Sequence, residues 1–369
     1  MRVLIAPDSF SGTVAAAGAA AAMAAGWRRI RPDDDLRIVP LSDGGDGLLE
    51  VVAAAVPGAV RKRAEVADAR GISTSAEWLR LPDGSALVES AQACGLQRLA
   101  IERRDPLSTT TYGVGQLLAV AAADGARSVL VGLGGSATVD AGLGAATALG
   151  CRLRRADGNG VKVGGRWTAD LHRVDFVAPV APTVVCAADV AAPLLGVDGA
   201  ARRYGPQKGA DAAAVDLLES NNAAVADIVE RDVPGGPWRD LPGAGAAGGL
   251  GFGLAAFAGA ALRPGAHEVA RLVGLDAALD GVDVILTGEG RLDAGSLQGK
   301  VCGYMAHRGR EVGAPVLVVA GSAEAGAQEA FEAVARLGPA GAERAEEAIA
   351  EAAAGLAGDL PSRSRPGSR

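Results

Sequence analysis

The sequence predicts an α/β fold built on parallel sheets and divided into more than one domain, on three observations. Short β-rich runs alternate with Ala-rich helical stretches from the first residues onward. Buried runs recur later, each closed by a turn rich in Gly, Ser or Asp. At about 150 residues per domain, 369 residues make two or three domains.

Met1 to Pro7 is a short apolar run closed by Pro7-Asp8; it lacks the long apolar region and small-residue cleavage site of a signal peptide and reads as a first strand over 3–6. A helix over 14–30, a strand over 36–40 and a helix over 47–55 follow. Between residues 64 and 89 the texture changes to two extended segments, 74–81 and 85–89, joined by Pro82-Asp83-Gly84, a β-hairpin signal. Buried strands are expected at 128–132, 183–187, 282–287 and 315–320, and in open α/β sheets ligands sit at such strand ends. A second change of texture falls near 262–268. The simplest division is a discontinuous domain of 1–68 with 266–358 around an inserted α/β domain of 69–265, then a final helix over 343–357 and a disordered tail at 359–369.

Aromatic residues are only 3% against 49% hydrophobic, so the core is built on Ala, Val and Leu with close helix contacts. A net charge of -7 argues against a nucleic-acid partner. No apolar run reaches the roughly 18 residues of a membrane span. Cys94, Cys151, Cys186 and Cys302 are far apart with no CxxC pair, which disfavours zinc and disulfides and suits a reducing cytosol.

Chemistry concentrates in the strand-end turns. Ala6-Pro7-Asp8-Ser9-Phe10-Ser11-Gly12-Thr13 is either a helix cap or a turn aiming Asp8 into a ligand crevice. Ser42-Asp43-Gly44-Gly45-Asp46-Gly47 is either an exposed acidic turn or a pair of carboxylates for a divalent cation or a hydroxyl proton, and Asp43 could converge with Asp8. The run from Gly132 through Gly134, Gly135, Ser136 and Thr138 to Asp140 and Gly142 lies between a strand and a helix; it is a structural turn or an anion cradle of inward N–H groups aided by a helix dipole. Thr287-Gly288-Glu289-Gly290-Arg291-Leu292-Asp293 reads as a turn closing a strand, with Arg291 in a self-satisfied ion network or on a substrate carboxylate.

Other motifs fail or stay open. Gly243-x-Gly245-x-x-Gly248 has dinucleotide spacing but no strand before it, which leaves a Gly-rich helix start as a further phosphate contact. The Gly295 to Lys300 stretch is no Walker A loop, and with no GxSxG elbow a Ser-His-Asp hydrolase is disfavoured. Lysine supplies four of 36 basic residues, yet Lys208 and Lys300 sit in Gly-rich motifs, which suggests a compact ammonium is wanted there. Acids, Gly-rich cradles and sparse cations together suit phosphoryl transfer.

Nine motifs in order resemble the bacterial type I glycerate kinases: Ala6 to Phe10, Asp43-Gly44-Gly45, Glu89-Ser90-Ala91, Thr110 to Gly113, Gly134 to Thr138, Asp189-Val190, Gly205 to Ala210, Gly245 to Gly249 and Gly288 to Asp293. The resemblance implies a two-domain kinase, one domain Rossmann-like and discontinuous, with ATP, Mg²⁺ and D-glycerate meeting in the interdomain cleft and 2-phosphoglycerate as product. Carried onto the matching positions, it implies Asp8, Asp43, Asp189, Lys208 and Glu289 as catalytic residues, with Asp43 and Asp189 also toward the metal. It implies Ser9, Phe10, Arg291 and Asp293 for the acid, and Gly134, Gly135, Ser136, Thr138, Thr111 and Gly248 for nucleotide phosphates. A cytoplasmic enzyme is implied, and a homodimer is left open.

The chain departs from the family pattern at Ser11, where Lys is usual, and at Val139, Ala188, Ala192, Gly295 and Asp46. Those changes leave two alternatives beside glycerate: a kinase for another small hydroxy acid, or a weakly catalytic glycerate- or nucleotide-binding paralogue.

Overall fold

The computed structural model describes residues 1–10, 12–176, 182–188, 192–338 and 344–361. Its strands are β1 Arg2–Ile5, β2 Asp35–Ile38, β3 Val60–Ala67, β4 Ser73–Arg80, β5 Ala86–Glu89, β6 Ser128–Gly132, β7 Arg152–Arg154, β8 Arg173–Asp175, β9 Thr183–Ala188, β10 Ala261–Pro264, β11 Val284–Leu292, β12 Val316–Ala323 and β13 Ala333–Arg336. The chain divides into two compact units, Met1–Ser42 with Ala270–Arg369, and Asp43–Val269.

The first unit holds a parallel sheet in the order β13-β12-β11-β1-β2. Val3, Leu4 and Ile5 are wholly buried, as expected of a strand covered on both faces. Helices Ala16–Ile30 and Ala345–Asp359 pack together, and their small residues permit a very close approach: a Cβ on Gly26 would stand 1.9 Å from the Ala350 carbonyl oxygen. Trp27, Met23 and Ile349 fill the core between them and the sheet. Helix Val301–Val312 carries Cys302 into a smaller core beside Leu292 and Val318.

The second unit holds a mixed sheet in the order β10-β9-β6-β5-β4-β3. β10, β9, β6 and β5 are parallel, and β4 and β3 add on antiparallel. The register sets Glu89 beside Gly132 and Gly132 beside Ala187, so the carboxyl ends of β5, β6 and β9 lie along one edge. That edge is where ligands gather in open α/β sheets. Trp78, Val88, Leu117 and Val131 belong to the core under this sheet, and Trp238, Phe252 and Phe257 to a second core that includes Val225 and Val229 of helix Ala212–Asp232.

Three expectations change. The first unit ends at Ser42 and not at residue 68, because β3 pairs along its whole length with β4 and joins the second sheet. β11 runs to Leu292, so Glu289 and Arg291 lie on an extended strand paired to β12 and not in a turn. Residues 359–361 are described, the helix reaching Asp359; the rest of the expected tail, 362–369, lies outside the described residues.

Candidate active site

In the first unit, the turn after β1 is fastened to β11. The Asp8 N–H donates to the Gly288 carbonyl at 2.9 Å, and the Thr287 hydroxyl donates to the Ala6 carbonyl at 2.7 Å. The Asp8 carboxylate accepts the Ser9 N–H at 2.6 Å. Asp8 and Glu289 are both buried, at 9% and 7% exposure. Burial first, then the charges of Glu289 and Asp8, push the Cys302 thiol well above its usual range, which places all three in one electrostatic neighbourhood. Phe10 is buried and closes the turn through a bridge to Val14.

Arg291 and Asp293 take the self-satisfied form. Arg291 Nε lies 3.2 Å from Asp293 and its Nη2 lies 3.0 Å from Glu324, on an exposed face. Asp293 also caps the short helical turn Ala294–Leu297, accepting the Ser296 N–H while the Ser296 hydroxyl accepts the Asp293 N–H.

In the second unit, the acidic loop of Asp43 to Asp46 lies against the glycines after β6. The Gly134 N–H donates to the Gly44 carbonyl at 3.2 Å. A Cβ on Gly134 would stand 2.2 Å from Gly45 Cα, and one on Gly135 would stand 1.9 Å from an Asp46 carboxylate oxygen. Gly134 is therefore required by backbone approach to the acidic loop, and Gly135 by its left-handed backbone, φ +66, beside the Asp46 side chain. The Asp43 carboxylate accepts the Gly45 N–H at 3.0 Å. Burial and the charge of Asp43 raise the Asp46 carboxyl above the usual range, as expected of neighbouring acids.

Two buried carboxylates fill helix N-termini beside this loop. Glu89 accepts the N–H groups of Gly47 and Leu49 at the start of helix Leu48–Ala55, and burial pushes its pKa up to about 7. Asp140, wholly buried, accepts both hydroxyls of Thr110 and Thr111 and the N–H groups of Thr111, Gly142 and Gly144. Burial raises its pKa against the pull of these donors. The helix dipole after β6 is thus met by the protein's own anion. The N–H groups of Leu133, Gly134 and Ala137 each reach a backbone carbonyl as well. Three of the backbone donors expected to line a cradle are thus engaged within the protein.

A buried ammonium reaches this loop. Lys208 is 3% exposed, and its Nζ donates to the Ser136 hydroxyl at 3.0 Å and the Thr138 carbonyl at 2.8 Å. Burial lowers its pKa to about 8, with Cys94 and Asp140 opposing. The Thr138 hydroxyl reaches the Ala247 carbonyl at 3.4 Å, and a Cβ on Gly248 would stand 1.8 Å from the Thr138 oxygen. Ala247, Gly248 and Gly249 are all left-handed, which lets the start of helix Ala246–Ala258 wrap this loop.

A model of the "Glycerate kinase family" matches residues 3–359. The chain belongs to the glycerate kinase family. It is 39% identical over 332 residues to a glycerate 2-kinase of Escherichia coli, covering 87% of this chain and 85% of that one. It is 39% identical over 337 residues to a glycerate kinase of Halalkalibacterium halodurans, covering 89% and 88%. A crystal structure from Salmonella typhimurium LT2, assigned as a glycerate kinase 2, matches with a TM-score of 0.80 at 36% identity over 97% of each chain.

In this glycerate kinase family chain the residues singled out in the sequence gather within each unit as follows. Asp8, Ser9, Phe10 and Glu289 come together in the first unit, with Arg291 and Asp293 further along β11. Asp43, Gly134 and Gly135 form a second group; Ser136, Thr138, Lys208 and Gly248 form a third, and Thr111 joins it through Asp140. Asp189 and Ser11 lie outside the described residues. Sequence reasoning gave no role to Asp140 or Glu89, although each stands in a quoted motif. The available signals were an acid ending an apolar strand run at Glu89, and an acid two residues before a glycine at the start of an Ala-rich helix at Asp140.

Proposed function

We propose that the protein phosphorylates D-glycerate with ATP and Mg²⁺, giving 2-phosphoglycerate. The observation that carries the reading is Lys208, a buried ammonium held by two neutral oxygens at a strand-end loop. A buried cation with only neutral hydrogen-bond partners suits an anionic ligand. Family membership makes phosphoryl oxygens the ligand of choice.

In this reading Lys208, Ser136 and Thr138 hold phosphate oxygens, with Gly134, Gly135, Gly248 and Thr111 shaping the loop. Asp43 and Asp189 are the residues assigned to the metal, and the charge of Asp43 acts on its neighbour Asp46. Among the described residues no group of three or more His, Cys, Asp or Glu is placed to hold a metal ion. A site with one or two carboxylates still fits Mg²⁺, which takes its remaining oxygens from water and substrate phosphate. When bound, Mg²⁺ supplies charge neutralisation at the phosphates. Asp8, Ser9, Phe10 and Glu289 take the acid, with Asp8 or Asp43 receiving the hydroxyl proton, and Arg291 exchanges a carboxylate of its own chain for that of glycerate. Loss of the proton lets the hydroxyl oxygen attack the γ-phosphorus while the β–γ bridge breaks toward ADP.

A cytoplasmic location belongs to the same reading, supported by four buried cysteines that are free thiols. No helix among the described residues is long and apolar enough to cross a membrane.

Phosphorus NMR of the purified protein with MgATP and D-glycerate tests the reading. The expected product resonance is that of 2-phosphoglycerate beside ADP. A 3-phosphoglycerate signal would overturn the product assignment, and no phosphoester at all would overturn the activity.

A further inference from the structure

The turn that carries Asp43 is fastened by two residues that no step above uses. Glu89 ends β5 and Ser90 follows it, at 3% and 0% exposure. The Glu89 carboxylate takes one N–H on each oxygen, that of Gly47 on Oε1 at 3.3 Å and that of Leu49 on Oε2 at 3.2 Å. The Ser90 hydroxyl donates to the Gly134 carbonyl at 3.2 Å, and the Gly134 N–H donates to the Gly44 carbonyl at 3.2 Å. These bonds close a ring. The turn from Gly44 to Gly47 is held at one end by Glu89 directly and at the other by Ser90 through Gly134.

The remaining sides of the turn are backbone. A Cβ on Gly265 would stand 1.7 Å from the Asp43 carbonyl oxygen, and one on Gly44, φ +94, would stand 2.8 Å from the Ala187 carbonyl oxygen. The turn is thus pressed between the end of β9 and the start of helix Gly265–Leu272. Glu89 keeps its place at an electrostatic cost, because burial disfavours its charge and the charges of Asp46 and Glu50 add to that. The two donors explain the choice of residue. A carboxylate accepts on both oxygens, whereas an amide puts a donor in place of one of them.

We propose that Glu89 is a positioning residue for the reaction, holding the Gly44–Gly47 turn so that the Asp43 carboxylate meets the reacting groups. The inference deepens the functional reading above and rests on it for the role of Asp43.

The test compares wild type with Glu89→Gln by amide hydrogen exchange over residues 43–49 without ligand, by melting temperature, and by steady-state kinetics with MgATP and D-glycerate. Gln keeps the volume and one acceptor, so one of the two N–H groups loses its partner. Exchange in that segment is expected to be faster by about tenfold or more. The kcat is expected to fall by about tenfold or more with KM for D-glycerate unchanged, since the residues assigned to the acid lie in the first unit. Exchange at the wild-type rate would overturn the proposal, and so would faster exchange with a wild-type kcat. A kcat that falls only in proportion to the folded fraction at the assay temperature would also overturn it, being the signature of a packing role. If Glu89→Gln does not fold, Ser90→Ala, which frees only the Gly134 end, is read by the same criteria. Glycerate-dependent turnover by the wild type separates the two readings. With turnover present, an unchanged variant removes only the Glu89 assignment; with turnover absent the functional reading falls, and the exchange rate alone decides whether Glu89 holds the turn.

Discussion

Lys208 sets the sign of two pH effects that run in opposite directions. Its pKa in the folded chain, about 8, lies below the unfolded value of 10.5, so the unfolded chain holds the proton more tightly. Between those values the unfolded state carries more protons, and the stability of the ligand-free protein is expected to gain from this group as pH rises. Oxyanion affinity needs the ammonium and is expected to fall above about pH 8, read as the MgATP dissociation constant across pH 7 to 10. Affinity flat across that range would remove Lys208 from the phosphate site. Asp43→Asn keeps the volume and the acceptor for Gly45 while deleting the charge. It is expected to abolish most turnover with the fold intact, and a near-normal kcat would remove Asp43 from the chemistry.

At the scale of elements, the loop after β6 and the helix start at Ala246 stand or fall together. Gly248 has φ +72 and no room for a Cβ beside the Thr138 oxygen, so Gly248→Ala is expected to cost about 2–4 kcal/mol in denaturant unfolding. Gly259, with φ +63 and nothing within 4 Å, is the control: Gly259→Ala is expected to cost about 1 kcal/mol, from backbone strain alone. Equal losses would mean that the close approach at Gly248 does not matter. Asp140→Asn places an amide among donors that now converge on a carboxylate, and is expected to lose about 2–3 kcal/mol. Because Asp140 raises the Lys208 pKa, the same variant is expected to move the alkaline limb of activity to lower pH. An unmoved limb would show that the two are not coupled.

The sequence was most legible in its strand-end motifs and least so where its own chain competes for a polar group. β6 was expected at 128–132 and is found at Ser128–Gly132, since its apolar run has one reading. β3 escaped because Arg61, Lys62, Arg63 and Glu65 give it the charge of a loop; only pairing with β4 makes it an edge strand. The glycines at 134 and 135 were recognised as a place of close approach, but not what approaches. The acidic loop takes that space, and Asp140 takes the helix N-terminus, both long-range facts that spacing does not encode.

For the whole molecule, family membership and the buried Lys208 both point to phosphoryl transfer, and the acid accepted is the part of the proposed function that a substrate panel tests. A panel of small hydroxy acids compared by kcat/KM is expected to rank D-glycerate first. A higher value for another acid would reassign the acceptor and leave the kinase in place. The most direct test of the central claim is D-glycerate-dependent ADP release by the purified protein with MgATP, followed in a coupled assay against a blank without acceptor. A rate that rises and saturates with D-glycerate is the expected result; folded protein that binds MgATP yet releases no ADP with any hydroxy acid would contradict it.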